Sequence, residues 1–402
     1  MQMFTGVPVG NSGYIREMNA SSIFRLIDQH GPIARKELAA NTRYSAATIT
    51  NHVKSLLDAG FVLETSKGDS TGGRRPVHVA VNSRKAYILA VELEVAQVRL
   101  LLFNLCRTVV GSRSLPIQPG QGPAQVLPRA VAAAKDVLEG ARVSKDKLLG
   151  IGIGAPGQIS NDGVLTFAPN LGWKRTVLTE PFAAAFDCPV LVENEARAGA
   201  IGEREGQYPH VNNLAYVSVK EGIGCGIILE GSLYRGTSGS AGEFGHVPLK
   251  PDGRSCHCGG RGCWETLASE LALLRKTRRV LPAIRTIDEL LEIAPRESAQ
   301  LQSSFDEVGH WLGIGAAAIV NAIGPDLLVI GGSMARFAPW IFPTLTEAFA
   351  AQTLPVGRES VQLEFSQMGD QATLHGLGAL VFTEHIPVRL AKELGEDTLR
   401  AQ

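Results

Sequence analysis

Apolar residues at helical spacing open the chain. Ile15, Ile23, Leu26 and Ile27 mark one face of a helix that ends at His30-Gly31-Pro32. A short helix over 34–40 follows, with Leu38 inward, and a turn over 41–44. Ser45 stands where an N-cap belongs, ahead of a third helix running to about Ala59 and stopped by Gly60. Ile49, Val53, Leu56 and Leu57 form its inner face; Ala47, Thr48, Asn51 and Lys54 lie opposite. The pattern then turns to strands over 61–65 and 77–81. They are joined by a polar turn with Gly68, Gly72, Gly73, Arg74 and Arg75. Three helices and a two-stranded ribbon predict a winged helix-turn-helix over 1–82. Its third helix is sized for a DNA major groove, with Ser45, Ala47, Thr48, Asn51 and Lys54 toward the bases. Arg74 and Arg75 suit phosphate or minor-groove contact.

Beyond residue 82 the periodicity predicts strands over 87–93, 98–104 and 109–115, a helix within 125–141, and a buried strand over 149–153 entering Gly154-Ala155-Pro156-Gly157. The β-β-β-α-β order recurs. Strands are expected over 214–219, 225–230 and 233–234, then long helices including 305–323, then 327–330 entering Gly331-Gly332. Two α/β lobes with a ligand cleft between them follow.

Composition bounds the function. The 402 residues carry 39 Lys+Arg and 39 Asp+Glu, which excludes a polybasic coat or an acidic tail. The first 82 residues hold nine basic and six acidic side chains, a surplus of +3, and leave −3 for the rest. The basic surplus therefore lies in the module read as DNA-binding. The first 19 residues lack the long apolar stretch of a signal peptide. The most apolar run, 311–324, is broken by Gly313, Gly315 and Asn321 and is too short to span a bilayer. The expectation is a cytoplasmic protein without membrane insertion.

Three of the six cysteines crowd together in Cys256-x-Cys258-x4-Cys263, ten residues after His246. Three thiolates and one imidazole satisfy tetrahedral Zn²⁺ with no open position, so the expected role is structural. His257 also lies in the cluster, but the middle residue of a C-x-C pair usually points away from the metal. Cys106, Cys188 and Cys225 read as small core residues. Around the knot stand groups suited to a polyol: Glu243, Glu265, His246, Asn194, Glu195 and Asn170, with Trp173 as a stacking ring. His246 can offer one nitrogen to the metal and the other to a hydroxyl.

Gly73-Arg74-Arg75-Pro76, Gly154-Ala155-Pro156-Gly157, Pro169-Asn170-Leu171, Glu243-x-Gly245-His246 and Cys256-x-Cys258-Gly259-x-x-Gly262-Cys263-x-Glu265 together resemble the ROK family (repressors, open reading frames, kinases), specifically its sugar-repressor branch. The resemblance covers essentially the whole chain. It implies an actin-like, ribonuclease H-like two-lobed sugar-kinase fold behind the winged module. The first lobe would span 83–193, completed by a C-terminal helix over 386–402, and the second 194–385. It further implies zinc on His246, Cys256, Cys258 and Cys263, and a sugar site of Asn170, Asn194, Glu195, Glu243, His246 and Glu265.

Departures from the family separate repressor from kinase. Kinases of the family carry Asp-x-Gly-Gly-Thr after the first strand; here Glu92-Leu93-Glu94-Val95-Ala96 replaces it with carboxylates that repel phosphate. A Gly-Thr-Gly loop is replaced by Lys220-Glu221-Gly222-Ile223-Gly224, and the Asp base by Glu195. The expectation is a sugar-responsive repressor acting on operator DNA as a homodimer or homotetramer, without phosphoryl transfer. The competing readings are an active sugar kinase with an added DNA module and a regulator controlled by a protein such as a sugar transporter.

Overall fold

The computed structural model describes residues 12–65, 77–118 and 120–400, with side chains from 18 to 395 within them. Arg74 and Arg75, expected at a wing tip, lie outside the described residues. The N-terminal module contains α1 (Ser12–His30), β1 (Ile33–Ala34), α2 (Arg35–Ala40), α3 (Ala46–Asp58), β2 (Val62–Glu64) and β3 (His78–Val81). Its core is made by the apolar faces of these elements, Ala20, Ile23, Phe24 and Ile27 of α1 with Leu38, Ile49, Val53, Leu56 and Phe61. The expected two-stranded ribbon is a three-stranded sheet, because Ile33 and Ala34 pair antiparallel with Val79 and His78. Ile33 is buried there, and strand pairing satisfies backbone groups that a buried loop would leave without partners.

The first lobe holds β4 (Tyr87–Leu93), β5 (Gln97–Asn104), β6 (Val109–Pro116), α4 (Pro123–Gly140) and β7 (Leu148–Ala155). A small sheet follows, of β8 (Gln158–Ile159), β9 (Val164–Ala168) and β10 (Trp173–Val177), then α5 (Thr179–Phe186) and β11 (Val190–Asn194). The second lobe holds α6 (Glu195–Gly206), β12 (Leu214–Val219), β13 (Ile223–Leu229), β14 (Ser232–Leu233), α7 (Glu265–Ala268), α8 (Glu270–Thr277) and α9 (Ile287–Ile323). After these come β15 (Leu327–Gly331), α10 (Ala338–Gln352), α11 (Pro355–Ser360), β16 (Gln362–Phe365) and α12 (Ala372–Arg400).

The two large sheets share one topology. Their orders are β11-β7-β4-β5-β6 and β14-β13-β12-β15-β16, each with three antiparallel strands followed by two added in parallel. Helices α4 and α5 cover the outer face of the first sheet, and α9 and α10 that of the second. Between the sheets lie α6 and α12, packed on each other.

Helix α12 begins well before residue 386, where the C-terminal helix was expected. The reason is legible in β7. Gly150, Gly152 and Gly154 alternate with Ile151 and Ile153, so one face of this strand is bare backbone. A Cβ on Gly152 would lie 3.1 Å from Leu377, so glycine is what lets α12 settle on the sheet. Among the described residues no helix is long and apolar enough to cross a membrane.

Candidate metal centre and sugar cleft

Strands β4, β7, β11 and β12 end at one edge of the molecule, where a cleft opens between the lobes. Open α/β sheets bind ligands at the carboxyl ends of their strands for this geometric reason. Asn170, Asn194, Glu195, Glu243, His246 and Glu265 all line it. Asn170 sits on the β9–β10 turn, Glu243 and His246 on a single 3₁₀ turn, and Glu265 at the start of α7.

His246, Cys256, Cys258 and Cys263 converge beside the cleft, with their ligand atoms within 4.8 Å of one another. Cys256 Sγ is 3.6 Å from His246 Nδ1, and the Cys258 and Cys263 sulfurs are 3.8 Å apart. Backbone N–H groups of Cys258 and Gly260 donate to Cys256 Sγ and Cys258 Sγ at 3.4 Å. The four side chains can hold a metal ion. Nδ1 of His246 faces the sulfurs, while Nε2 lies 3.9 Å from Glu243 Oε2 on the cleft side. Glu265 bridges knot and cleft: Cys256 Sγ donates to its Oε1 at 2.8 Å. His257 turns away from the sulfurs; its Nδ1 is 3.1 Å from Asn170 Oδ1. It thus orients a cleft residue, a role that spacing alone does not reveal.

Several expected contacts are already committed elsewhere. Asn194 caps α6: its Oδ1 accepts from Ala196 N and Arg197 N, and its Nδ2 donates to Gly157 O at 2.9 Å. It shapes the cleft wall and has little left for a ligand. Trp173 is buried and donates its indole N–H to Gln121 O at 2.9 Å, so it offers no open stacking face. Cys106 is exposed in the β5–β6 turn rather than in a core, whereas Cys225 is buried and Cys188 half-buried. On the N-terminal module, Ser45, Ala47, Asn51 and Lys54 are exposed and Thr48 half-buried. Ser45 caps α3 through Thr48 N at 3.1 Å, and its hydroxyl also meets that of Thr48 at 2.9 Å, so both side chains first serve the helix end.

The electrostatics of the cleft floor went unread in the sequence. Glu92, at the end of β4, is fully buried and accepts from Arg99 Nη2 and Lys220 Nζ, both at 2.6 Å. Glu94 takes the same two partners at 3.0 and 2.8 Å. Burial opposes the Lys220 charge, but Glu92, Glu94 and Glu195 hold its ammonium well above the usual lysine range. Burial pushes Glu195 up to about 7; Lys220 and the Ser218 hydroxyl, 2.9 Å away, pull against that, and Glu92 and Glu94 add to it. The Glu92 and Glu94 carboxylates are therefore neutralised from within the protein.

A family model described as ROK family matches residues 88–384. The xylose repressor of Caldicellulosiruptor bescii is 30% identical over 391 residues, covering 94% of this chain and 98% of that protein. Among solved structures, a ROK family transcriptional regulator described as a homolog of the E. coli MLC protein superposes with a TM-score of 0.79. It shows 27% identity and covers 95% of this chain and 100% of its own. A ROK family glucokinase from Streptomyces griseus, in complex with glucose and AMPPNP, gives a TM-score of 0.66 at 26% identity. It covers 73% of this chain and 99% of its own.

Proposed function

The chain belongs to the ROK family, and from that premise we propose that it is a sugar-responsive DNA-binding repressor whose kinase-like domain binds its effector without phosphorylating it. The observation that carries this reading is the cleft itself. One wall gathers carboxylates, an amide and an imidazole that can bond hydroxyls, while the floor is occupied by the ion pairs of Glu92, Glu94, Arg99 and Lys220. A nucleotide triphosphate would have to break buried ion pairs and then face two carboxylates, which disfavours phosphoryl transfer.

In this reading Asn170, Glu243, Glu265 and His246 Nε2 bind sugar hydroxyls, with Glu195 beneath them. Zinc is the metal that suits the knot. With zinc–sulfur bonds of about 2.3 Å, sulfurs at tetrahedral corners stand about 3.8 Å apart, which is the Cys258–Cys263 separation of 3.8 Å. His246 Nδ1 and the three thiolates would hold it, and the bound ion would fix the segments that carry Glu243, His246 and Glu265. The N-terminal module is read as a winged helix-turn-helix with α3 in the major groove, Asn51 and Lys54 outward, working in a homo-oligomer on paired half-sites in the cytoplasm. Arg74 and Arg75 are assigned to the same DNA contact on sequence grounds.

The test is a thermal-shift screen of the zinc-loaded protein against hexoses, pentoses and N-acetylhexosamines, followed by DNA-release assays with each hit. A sugar at 100 times its Kd stabilises by about 2.7 kcal/mol. Stabilisation by a sugar that also weakens DNA binding, with no ADP formed from ATP, is the expected outcome. Sugar-dependent ADP release would establish a kinase instead. Silence across the whole library would favour control by a protein partner.

A further inference from the structure

Glu92 and Glu94 belong to the first lobe, and Lys220 to the turn after β12 in the second. Their ion pairs of 2.6 and 2.8 Å therefore cross between the lobes, on the floor of the cleft. Arg99 continues the chain. One end of its guanidinium holds Glu92, and the other holds Asp370, on the 3₁₀ turn that leads into α12, at 3.0 Å; it also donates to the Asp370 backbone carbonyl. At the second residue of α12, the Thr373 hydroxyl donates to Glu195 O at 3.1 Å, tying the helix to the other wall of the cleft as well.

The far end of α12 meets the N-terminal module. Leu377, Val381, Phe382, Ile386 and Leu390 share one buried cluster with Ala20, Ile23, Phe24 and Ile27 of α1. The Phe24 and Phe382 rings lie 6.2 Å apart. Arg107 pairs with Asp28 at 2.9 Å while lying over the Phe382 ring, and Lys85 pairs with Glu393 at 2.6 Å while lying over Phe61. One continuous helix thus has the cleft floor at its start and α1 along its later turns. The turns of α12 before Pro387, which carry Leu377, Val381, Phe382 and Ile386, are packed and move as a unit, because close-packed contacts do not deform continuously.

We propose that the chain Lys220–Glu92–Arg99–Asp370 is a latch that ties the two lobes together, and that α12 delivers the state of this latch to the N-terminal module. Ligand in the cleft changes how the lobes close; the latch converts that change into a shift of α12, and α12 carries α1 with it. Lys220 and Asp370 are positioning residues here, acting through α12 rather than on DNA.

The proposal rests on the sugar and DNA reading for its ligands, but its test has an arm free of each. The variant is Lys220→Met with Glu94→Gln, which removes one charge of each sign and leaves Arg99 on Glu92; Asp370→Ala is the milder second variant. Zinc content and melting profile report folding. The DNA probe is the best duplex that the wild-type protein selects from a random-sequence pool, and the sugars are D-xylose, D-glucose and N-acetyl-D-glucosamine at saturation. The readout is the ratio of duplex Kd with and without sugar, which a purely structural role would leave alone. Allosteric coupling of this kind is about 5- to 150-fold. The expected result is a ratio near 1 in the double variant, intermediate in Asp370→Ala, and a changed duplex Kd even without sugar. An unchanged ratio together with an unchanged sugar-free Kd overturns the latch. If no sugar acts on the wild type, the sugar reading fails, and the sugar-free Kd alone decides. If no duplex is selected, the DNA reading fails, and amide exchange in α1 decides: faster exchange in the double variant supports the latch and identical exchange overturns it.

Discussion

At the residue scale, Glu195 carries the clearest pH signature. Its carboxyl is raised from 4.5 to about 7, with burial as the main cause. The folded protein then keeps a proton that the unfolded chain releases at a lower pH. The resulting stabilisation is complete below the unfolded value and lost as pH rises through the folded one. The Tm of the native protein relative to Glu195→Gln should therefore fall between pH 5 and pH 8. A difference that stays flat over that interval would mean the carboxyl is not held protonated. The same titration turns Glu195 from donor to acceptor toward a hydroxyl, so sugar affinity should change with pH around 7. Residues such as Cys256, Cys258 and Cys263 were legible in the sequence because metal chemistry demands a particular donor set at short spacing. Lys220 was not. Its chemistry comes from Glu92 and Glu94, more than a hundred residues away, and nothing local marks a lysine as buried.

Among elements, the contact between α6 and α12 decides how close the sheets can come. A Cβ on Gly376 would lie 1.8 Å from Ala198 O, and one on Gly202 2.0 Å from Ala372 O. Gly376→Ala must push the helices apart, and overpacking of this kind costs about 1–3 kcal/mol. Denaturant unfolding should show a lower midpoint with the slope unchanged; an unshifted midpoint would mean the crossing tolerates a methyl group. The strands of both lobes were readable because runs such as Leu214–Val219 are apolar on both faces. The short strands β8, β9 and β10 were not, since Val164–Ala168 and Trp173–Val177 mix buried and exposed positions in lengths too small for a period to show. Helix α9 runs from Ile287, far ahead of the apolar stretch that announced it, because its first turns rest on a Thr286 capping box with Glu289.

For the whole molecule, the His246–Cys256–Cys258–Cys263 knot and the N-terminal module occupy different places. The knot lies in the second lobe beside the cleft, whereas the module shares its core with the first-lobe side of α12. Chelation should therefore abolish the sugar response while leaving DNA affinity within about twofold, a factor worth roughly 0.4 kcal/mol. Cys256→Ser should do the same, with metal content falling in step. Anisotropy of a labelled duplex, with and without sugar and chelator, measures both quantities. Intact sugar-dependent release after verified metal loss would remove the knot from the effector site.

The amino-acid sequence by itself determined the two-lobed order of strands and helices, the cysteine–histidine donor set and six polar residues of the cleft wall. Each of these is written in local spacing: a hydrophobic period, a C-x-C pair, an Asn-Glu at a strand end. Only the tertiary structure decided which of those residues are free to act. Asn194 and Ser45 turn out to cap helices, Trp173 to be buried, and His257 to hold Asn170. It alone brought Glu92, Arg99, Lys220 and Asp370 into one chain of ion pairs. The physical reason is range. Hydrogen-bond geometry and burial depend on atoms that the fold brings together from distant segments, and a carboxylate's role follows from the charge that faces it, not from its neighbours along the chain.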